Sequence, residues 1–351
     1  MMRLISVLLV GLGVIIPLGI LEVSLYVLDS NVERTKHTYG RSLSGQRYSA
    51  GPCVHGWCAP PGVYPDVQRR IISGPREGEQ IYGVTYSINE DGFRFNRGAP
   101  VVRPAASLIV NFFGGSFIFG EGLNDHETVP VFLSELSNGK ITTNNYGFHG
   151  YGVHNALKML EEGVPARSNI NILLIGDFHV RRALCKPAWT RYHPRYAMRG
   201  GRVSFEGRCD SANNQSASAV RSQWLIPSVF HNTRIYGRIK SLVSSIVLSE
   251  DMELFLGLIG RFAQLSLERG EIPIVMLLPD SSPVTSVFVS TERSVSNFLE
   301  ATGAPYLIDA VPGTDEYQID RLEAHPNAEA NILRSKQVYQ YLVEQQMIGS
   351  P

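Results

Sequence analysis

Residues 107–122 read SLIVNFFGGSFIFGEG, and this stretch decides the fold. An apolar run over residues 108–113 stops at Gly114-Gly115, and Ser116 stands before the chain turns apolar again. That pattern predicts a buried strand, a tight turn and the start of a helix. Two glycines let backbone approach backbone closely, so the turn presents the Ser116 hydroxyl and a free N–H at the carboxyl end of the strand. In open α/β sheets that end is where ligands bind. Taken alone, the same residues also describe a plain strand-to-helix turn with Ser116 as helix cap.

Outward from this stretch the pattern alternates. Helical periodicity over residues 128–136 is followed by a strand over 140–146, then a helix over 153–162 with Leu157 and Leu160 on its apolar face. A short buried strand at 171–175 comes next, and after a long insertion a helix over 250–269 follows. Ser249 is its expected N-cap, with Leu254, Leu258 and Phe262 along one stripe. Strands at 273–278 and 306–308, a helix at 292–301 and a closing helix at 326–346 complete the series. Strands alternating with helices in this way predict a mainly parallel five-stranded sheet covered on both faces, a flavodoxin-like α/β/α sandwich.

On the amino-terminal side, residues 4–21 are uncharged and apolar between Arg3 and Glu22. About 18 such residues suffice to cross a bilayer core, and no small-residue cleavage pattern follows, so residues 1–28 are expected to be an uncleaved signal anchor rather than a removed signal peptide. The body is then exported in either case. Residues 29–100 show no sustained period apart from one strand at 81–88, and are expected to be a tether and irregular lead-in. Residues 101–351 form the expected main domain, with an insertion at about 183–249.

Charge is balanced overall, with 32 basic and 32 acidic residues, but it is unevenly distributed. Between Arg181 and Lys240 lie twelve basic residues and two acidic ones, interleaved with Trp189, Tyr192, Tyr196, Phe205, Trp224, Phe230 and Tyr236. Nucleic acid is one ligand such a surface suits, yet an exported protein rarely meets it. Anionic polysaccharide or phospholipid headgroups fit the compartment better, and a charged lid balancing the acidic remainder is the plainer alternative. The four cysteines fall as Cys53 with Cys58 and Cys185 with Cys209, no His has the offset a zinc site needs, and two local disulfides are expected if the compartment is oxidising.

Three blocks stand in order at predicted strand ends: Gly114-Gly115-Ser116-Phe117, Asn145-Tyr146-Gly147-Phe148-His149-Gly150, and Glu323-Ala324-His325-Pro326-Asn327. With Asn89-Glu90-Asp91-Gly92-Phe93-Arg94 ahead of them, the chain from about residue 81 onward resembles the SGNH (GDSL-type) hydrolases, in particular membrane-anchored members of the bacterial envelope. The chemistry has its own warrant, since a serine hydroxyl becomes a nucleophile only when a base takes its proton, and His325 is expected at the same sheet edge as Ser116. Pro326 is expected to open the closing helix and so fix His325 at its entrance.

A base needs an acceptor on its other nitrogen. The family usually places an aspartate two or three residues before this histidine. Here Glu323 is the expected acid, with Asp320 as its substitute. The resemblance assigns the oxyanion to the backbone N–H groups of Ser116 and Gly150 and to an Asn after the third strand. That Asn is missing, His179 stands near its place with Arg182 close behind, and His179 is the expected replacement donor. Gly115 stands where the family has Asp. His149 and His154 are expected to be structural or substrate-facing. No cofactor or metal is implied. Two functions follow: an envelope serine esterase or O-acyltransferase acting on acylated glycan or lipid, or a membrane-tethered binding module that holds an anionic polymer or an assembly partner on an eroded scaffold of this kind.

Overall fold

The structure, a computed structural model, describes residues 16–25, 35–39, 51–70, 78–95, 108–210, 249–280, 290–321 and 323–348. Five parallel strands make its centre: β6 (Leu108–Phe113), β7 (Ile141–Asn145), β8 (Ile170–Ile175), β11 (Ile272–Leu277) and β12 (Tyr306–Ile308). They are ordered β12-β11-β8-β6-β7, so the second strand in sequence lies outside the first and the later three extend the other edge. This is the expected flavodoxin-like order, and the switch between β6 and β8 is where such a sheet opens its crevice.

Every residue of β8 is buried, because helices cover both faces. One layer holds α4 (Val153–Glu161), α5 (Phe178–Ala183), α6 (Ser249–Glu268) and α7 (Thr291–Thr302), packed through Leu157, Leu160, Val180, Leu258, Phe262 and Leu299. The other holds α3 (Val129–Leu136) and the closing α8 (Ala328–Glu344), packed through Val129, Leu133, Val338 and Leu342. Phe113 faces the first layer and Phe112 the second, each fully buried, which is worth about 2 kcal/mol apiece.

The lead-in departs from expectation. Instead of one strand in an irregular tether, β1 (Thr35–Tyr39), β4 (Gly62–Arg70) and β5 (Gln80–Ile88) form an antiparallel sheet in the order β1-β4-β5. A small hairpin, β2 (Gly51–Cys53) with β3 (Gly56–Cys58), precedes β4. Strand β4 alternates in burial, but its inward positions are Tyr64, Asp66, Gln68 and Arg70. Polar residues on the buried face erase the apolar alternation by which a strand is recognised. Pro65 fits because, among the described residues, β1 pairs with β4 only as far as Asp66, so that no strand pairs with Pro65 on that side.

The insertion begins as a packed hairpin, β9 (Pro194–Arg199) with β10 (Arg202–Arg208), laid on α4 and α6; residues 211–248 are outside the described part. Two smaller corrections concern helix starts. Helix α6 begins at Ser249 itself, and α8 begins after Asn327, whose side chain accepts from the Ala330 N–H. Pro326 instead ends β14 (Glu323–Pro326), which pairs with β13 (Gln318–Asp320). Of the expected anchor, residues 1–15 lie outside the described part. Residues 16–25 form helix α1, whose Ile16, Ile20, Leu21 and Val23 are exposed. No helix among the described residues is long and apolar enough to cross a membrane.

Candidate active site

Strand β6 ends at Phe113, and after Gly114 and Gly115 helix α2 (Ser116–Phe119) starts. A β-carbon at Gly114 would lie 2.8 Å from Ile118 Cγ1, so the turn closes this tightly only with glycine. Gly147 has the same role from the neighbouring loop, where a β-carbon would stand 2.6 Å from the Phe119 nitrogen. The turn holds Ser116 with its hydroxyl against the imidazole of His325, Oγ to Nε2 2.8 Å.

His325 lies on β14, and its Nδ1 bonds Glu323 Oε1 of the same strand. Residues two apart on a strand face the same side, which is why an acid at 323 reaches the histidine at 325. With a carboxylate on Nδ1, the neutral ring keeps its proton there and offers the Nε2 lone pair to the Ser116 O–H. The expected substitute, Asp320, sits across the hairpin from Glu323 and is ion-paired to Arg70 at 2.5 Å, away from the histidine.

A second carboxylate, absent from the sequence expectations, stands at the relay. Glu121 Oε2 lies 3.5 Å from His325 Nε2 and 2.6 Å from His149 Nδ1. Burial is the largest influence on His325 and lowers its pKa, as does the charge of Arg182. The Glu323 hydrogen bond and the charges of Glu121 and Glu323 together outweigh both, so its pKa is raised above the usual value. Glu121 follows Ser116 by five residues, and the left-handed Gly120 (φ 80°) that ends α2 turns it back towards the histidine.

The lead-in sheet supports this arrangement. Gln68 of β4 donates to Glu323 Oε2 at 2.5 Å, in a buried contact between residues 255 apart in sequence. Asp66 accepts from the Tyr82 and Tyr86 hydroxyls at 3.0 and 2.8 Å, and the Tyr86 oxygen accepts the Gly122 N–H at 2.9 Å. The Asn89 block is a turn in which Asn89 Oδ1 accepts the N–H groups of Asp91 and Phe93, with Gly92 at φ 84°. It delivers Arg94 to full burial. There the guanidinium donates to the carbonyls of Phe119, Gly120 and Leu123 and to Asp125, stapling the segment that follows the serine.

On the other side of Ser116 lies the loop after β7. Gly150 has φ 74°, and a β-carbon there would strike the Trp189 ring at 2.5 Å, so both backbone and space demand glycine. Among the described residues, the backbone N–H groups of Ser116 and Gly150 donate no hydrogen bond. His179 is different from its expectation. It is wholly buried behind Gly115, with Nδ1 accepting the Gly176 N–H at 2.8 Å, and a side chain without exposed surface does not face a substrate. His154 is equally buried and bonds His193, Nε2 to Nδ1 3.1 Å.

The disulfides pair as expected, Cys53 with Cys58 and Cys185 with Cys209, which excludes the Cys53-His55-Cys58 group as a thiolate metal site. In the described part of the basic insertion, several cations are engaged within the protein. Arg195 and Arg199 pair with Glu206, and Lys186 pairs with Asp251.

No model of a known protein family matches the chain, and no curated protein sequence does. Solved structures do resemble it. A psychrotrophic esterase from Pseudoalteromonas sp. is similar with a TM-score of 0.39 and 13% identity, covering 69% of this chain and 100% of that one. A carbohydrate acetylesterase family member from Sinorhizobium meliloti gives 0.38 and 9%, over 69% and 100%. An acetyl xylan esterase from Butyrivibrio proteoclasticus gives 0.38 and 10%, over 89% and 83%. At these identities no chemistry carries across, and the case for an activity rests on the residues of this chain.

Proposed function

We propose that the chain is a serine ester hydrolase or O-acyltransferase of the SGNH type, acting on acyl esters of a glycan or lipid. The observation that carries the reading is the continuous contact Ser116–His325–Glu323, formed between a strand-end turn and a hairpin 209 residues further along the chain. A binding scaffold has no need of that contact.

In the first step Ser116 Oγ bonds to the ester carbonyl carbon, the carbonyl π pair moves onto oxygen, and the hydroxyl proton passes to His325 Nε2. Glu323 holds the ring by Nδ1 and offsets the imidazolium charge. The backbone N–H groups of Ser116 and Gly150 are the donors for the oxyanion. Collapse then re-forms the carbonyl, breaks the bond to the alkoxy oxygen, and sends the proton from Nε2 to that leaving group. Water or a sugar hydroxyl attacks the acyl-enzyme in turn, its proton passing to His325 Nε2; collapse then breaks the bond to Ser116 Oγ, which takes that proton back, to give hydrolysis or transfer.

The two disulfides suit an oxidising compartment, and the uncharged residues 4–21 suit a membrane anchor for a body held outside the cytoplasm. The activity is tested by exposing the purified full-length protein to p-nitrophenyl acetate and to a fluorophosphonate probe, beside Ser116→Ala and His325→Ala. Wild type is expected to hydrolyse the ester and take the label, and both variants to lose hydrolysis. Equal signals from all three would sink the proposal.

A further inference from the structure

We infer that Arg182, not His179, is the side-chain donor that stabilises the oxyanion at Ser116, and that Gly115 is the residue that admits it. This rests on the ester-cleaving reading above and specifies its electrostatics. The two positions where the chain departs from the resembled pattern prove to be one place in space. A β-carbon at Gly115 would lie 2.7 Å from Arg182 Nη1 and 3.3 Å from His179 Nε2. A side chain at 115 would have to displace the guanidinium from this position, so the missing Asp and the missing Asn meet at one place in the fold.

The setting of Arg182 suits a donor. It sits one turn into α5, seven residues past the end of β8, at the edge of the sheet where Ser116 stands. One nitrogen, Nη1, donates to the Tyr151 carbonyl at 2.8 Å, which ties the guanidinium to the loop that carries Gly150. The planar group is held between the rings of Phe178 and Trp189, 4.7 and 5.3 Å from their centroids, and Trp189 is the ring packed over Gly150. Arg182 thus lies among the residue before the nucleophile, the loop of the second backbone donor and an aromatic wall.

No carboxylate pairs with it among the described residues, and only one of its five N–H groups has a partner there. A half-buried cation with no carboxylate hydrogen-bonded to it is costly at rest, and the cost is repaid when negative charge develops beside it. Burial lowers its pKa to about 10 while the charge of Glu121 raises it, so it remains protonated at neutral pH. His179, beneath it, then has a packing role: its ring fills the space under Gly115 and Gly152. In the covalent step Arg182 neither gives up a proton nor forms a bond; it donates hydrogen bonds to the oxygen that receives the carbonyl pair.

The experiment compares wild type, Arg182→Met, Arg182→Lys and Arg182→Ala as full-length proteins on p-nitrophenyl acetate, with melting curves for each. Loss of one oxyanion donor lowers kcat by about a hundredfold or more, so Arg182→Met is expected to fall by that much with KM within about threefold of wild type. Arg182→Lys, which keeps the charge but not the fork, is expected to fall less, and it carries the test if the Met variant does not fold. Methylguanidinium added to Arg182→Ala is expected to restore part of kcat, which a purely structural loss would not show. Retained kcat in Met and Lys variants overturns the inference. So does a raised KM at unchanged kcat, which would make Arg182 a substrate-binding residue, and so does failed rescue in an Ala variant that melts like wild type. If wild type itself neither hydrolyses the ester nor takes the fluorophosphonate, the ester-cleaving reading falls and this one with it; activity in wild type with indifferent Arg182 variants removes this one alone.

Discussion

At the scale of single residues, His325 is caught between opposing influences. Burial and Arg182 press it towards the neutral form, while Glu323 and Glu121 favour the charged one and prevail. A general base must be neutral to accept the Ser116 proton, so the rate is expected to rise as pH climbs through the raised pKa of His325. Glu121→Gln removes one of the two charges that raise it. The acid limb of kcat/KM is therefore expected to move to lower pH in Glu121→Gln, with the plateau changed little; an unmoved limb would show that Glu121 serves only to hold His149. Ser116, His325 and Glu323 were legible in the sequence because each lies in a short block at a strand end. Glu121 was not, because nothing in local spacing says that Gly120 turns the chain back on the histidine. Arg182 was visible as a neighbour of His179, but only burial decides which of the two faces outward.

At the scale of elements, the lead-in sheet reaches the candidate site. Its central strand carries Asp66, Gln68 and Arg70 inward, and these hold the tyrosines of β5, Glu323 and Asp320 in turn. Gln68→Leu keeps the strand and removes the donor to Glu323. A carboxylate free to swing misaligns the imidazole, and modest misplacement in an active site costs on the order of ten- to a hundredfold in rate. The expectation is such a drop in kcat with KM and fluorophosphonate access largely retained, measured by steady-state kinetics and labelling. A variant with unchanged kcat would reduce the sheet to a scaffold. Strand β5 was readable from alternating apolar residues over 81–88, whereas β4 was unreadable for the reason that makes it useful: its buried face is polar.

At the scale of the molecule, four histidines are buried, His55 in a turn, His193 in a bend, and His154 and His179 on α4 and α5. Burial lowers the pKa of His55 to about 4 and that of His193 to about 3, and holds His154 and His179 well below their usual value. Below pH 6.5 the unfolded chain takes up protons that the folded chain refuses, so stability is lost as pH falls. The loss is about 1.4 kcal/mol per pH unit for each such histidine, until its folded pKa is reached. His325 has the opposite sign, since its raised pKa contributes stability that is present at low pH and lost as pH rises. The four lowered groups outnumber it. Melting at pH 5 is expected several degrees below melting at pH 7, and equal melting temperatures would contradict the buried cluster.

From the sequence alone, the order of strands and helices, the five-stranded parallel sheet, the cysteine pairs and the serine and histidine at one sheet edge could all be stated. Each depends on signals that repeat or close over a short stretch of chain: apolar periodicity, a glycine turn, closely spaced cysteines, a short block at a strand end. Tertiary structure alone decided that the lead-in is a sheet with a polar inner face, that Glu121 stands beside His325, and that Arg182 occupies the space beside Gly115. Those outcomes rest on hydrogen bonds and exclusions between residues tens to hundreds of positions apart, such as the pair Gln68 and Glu323. Such contacts leave no periodic trace, because their energy comes from groups that meet only once the chain has folded.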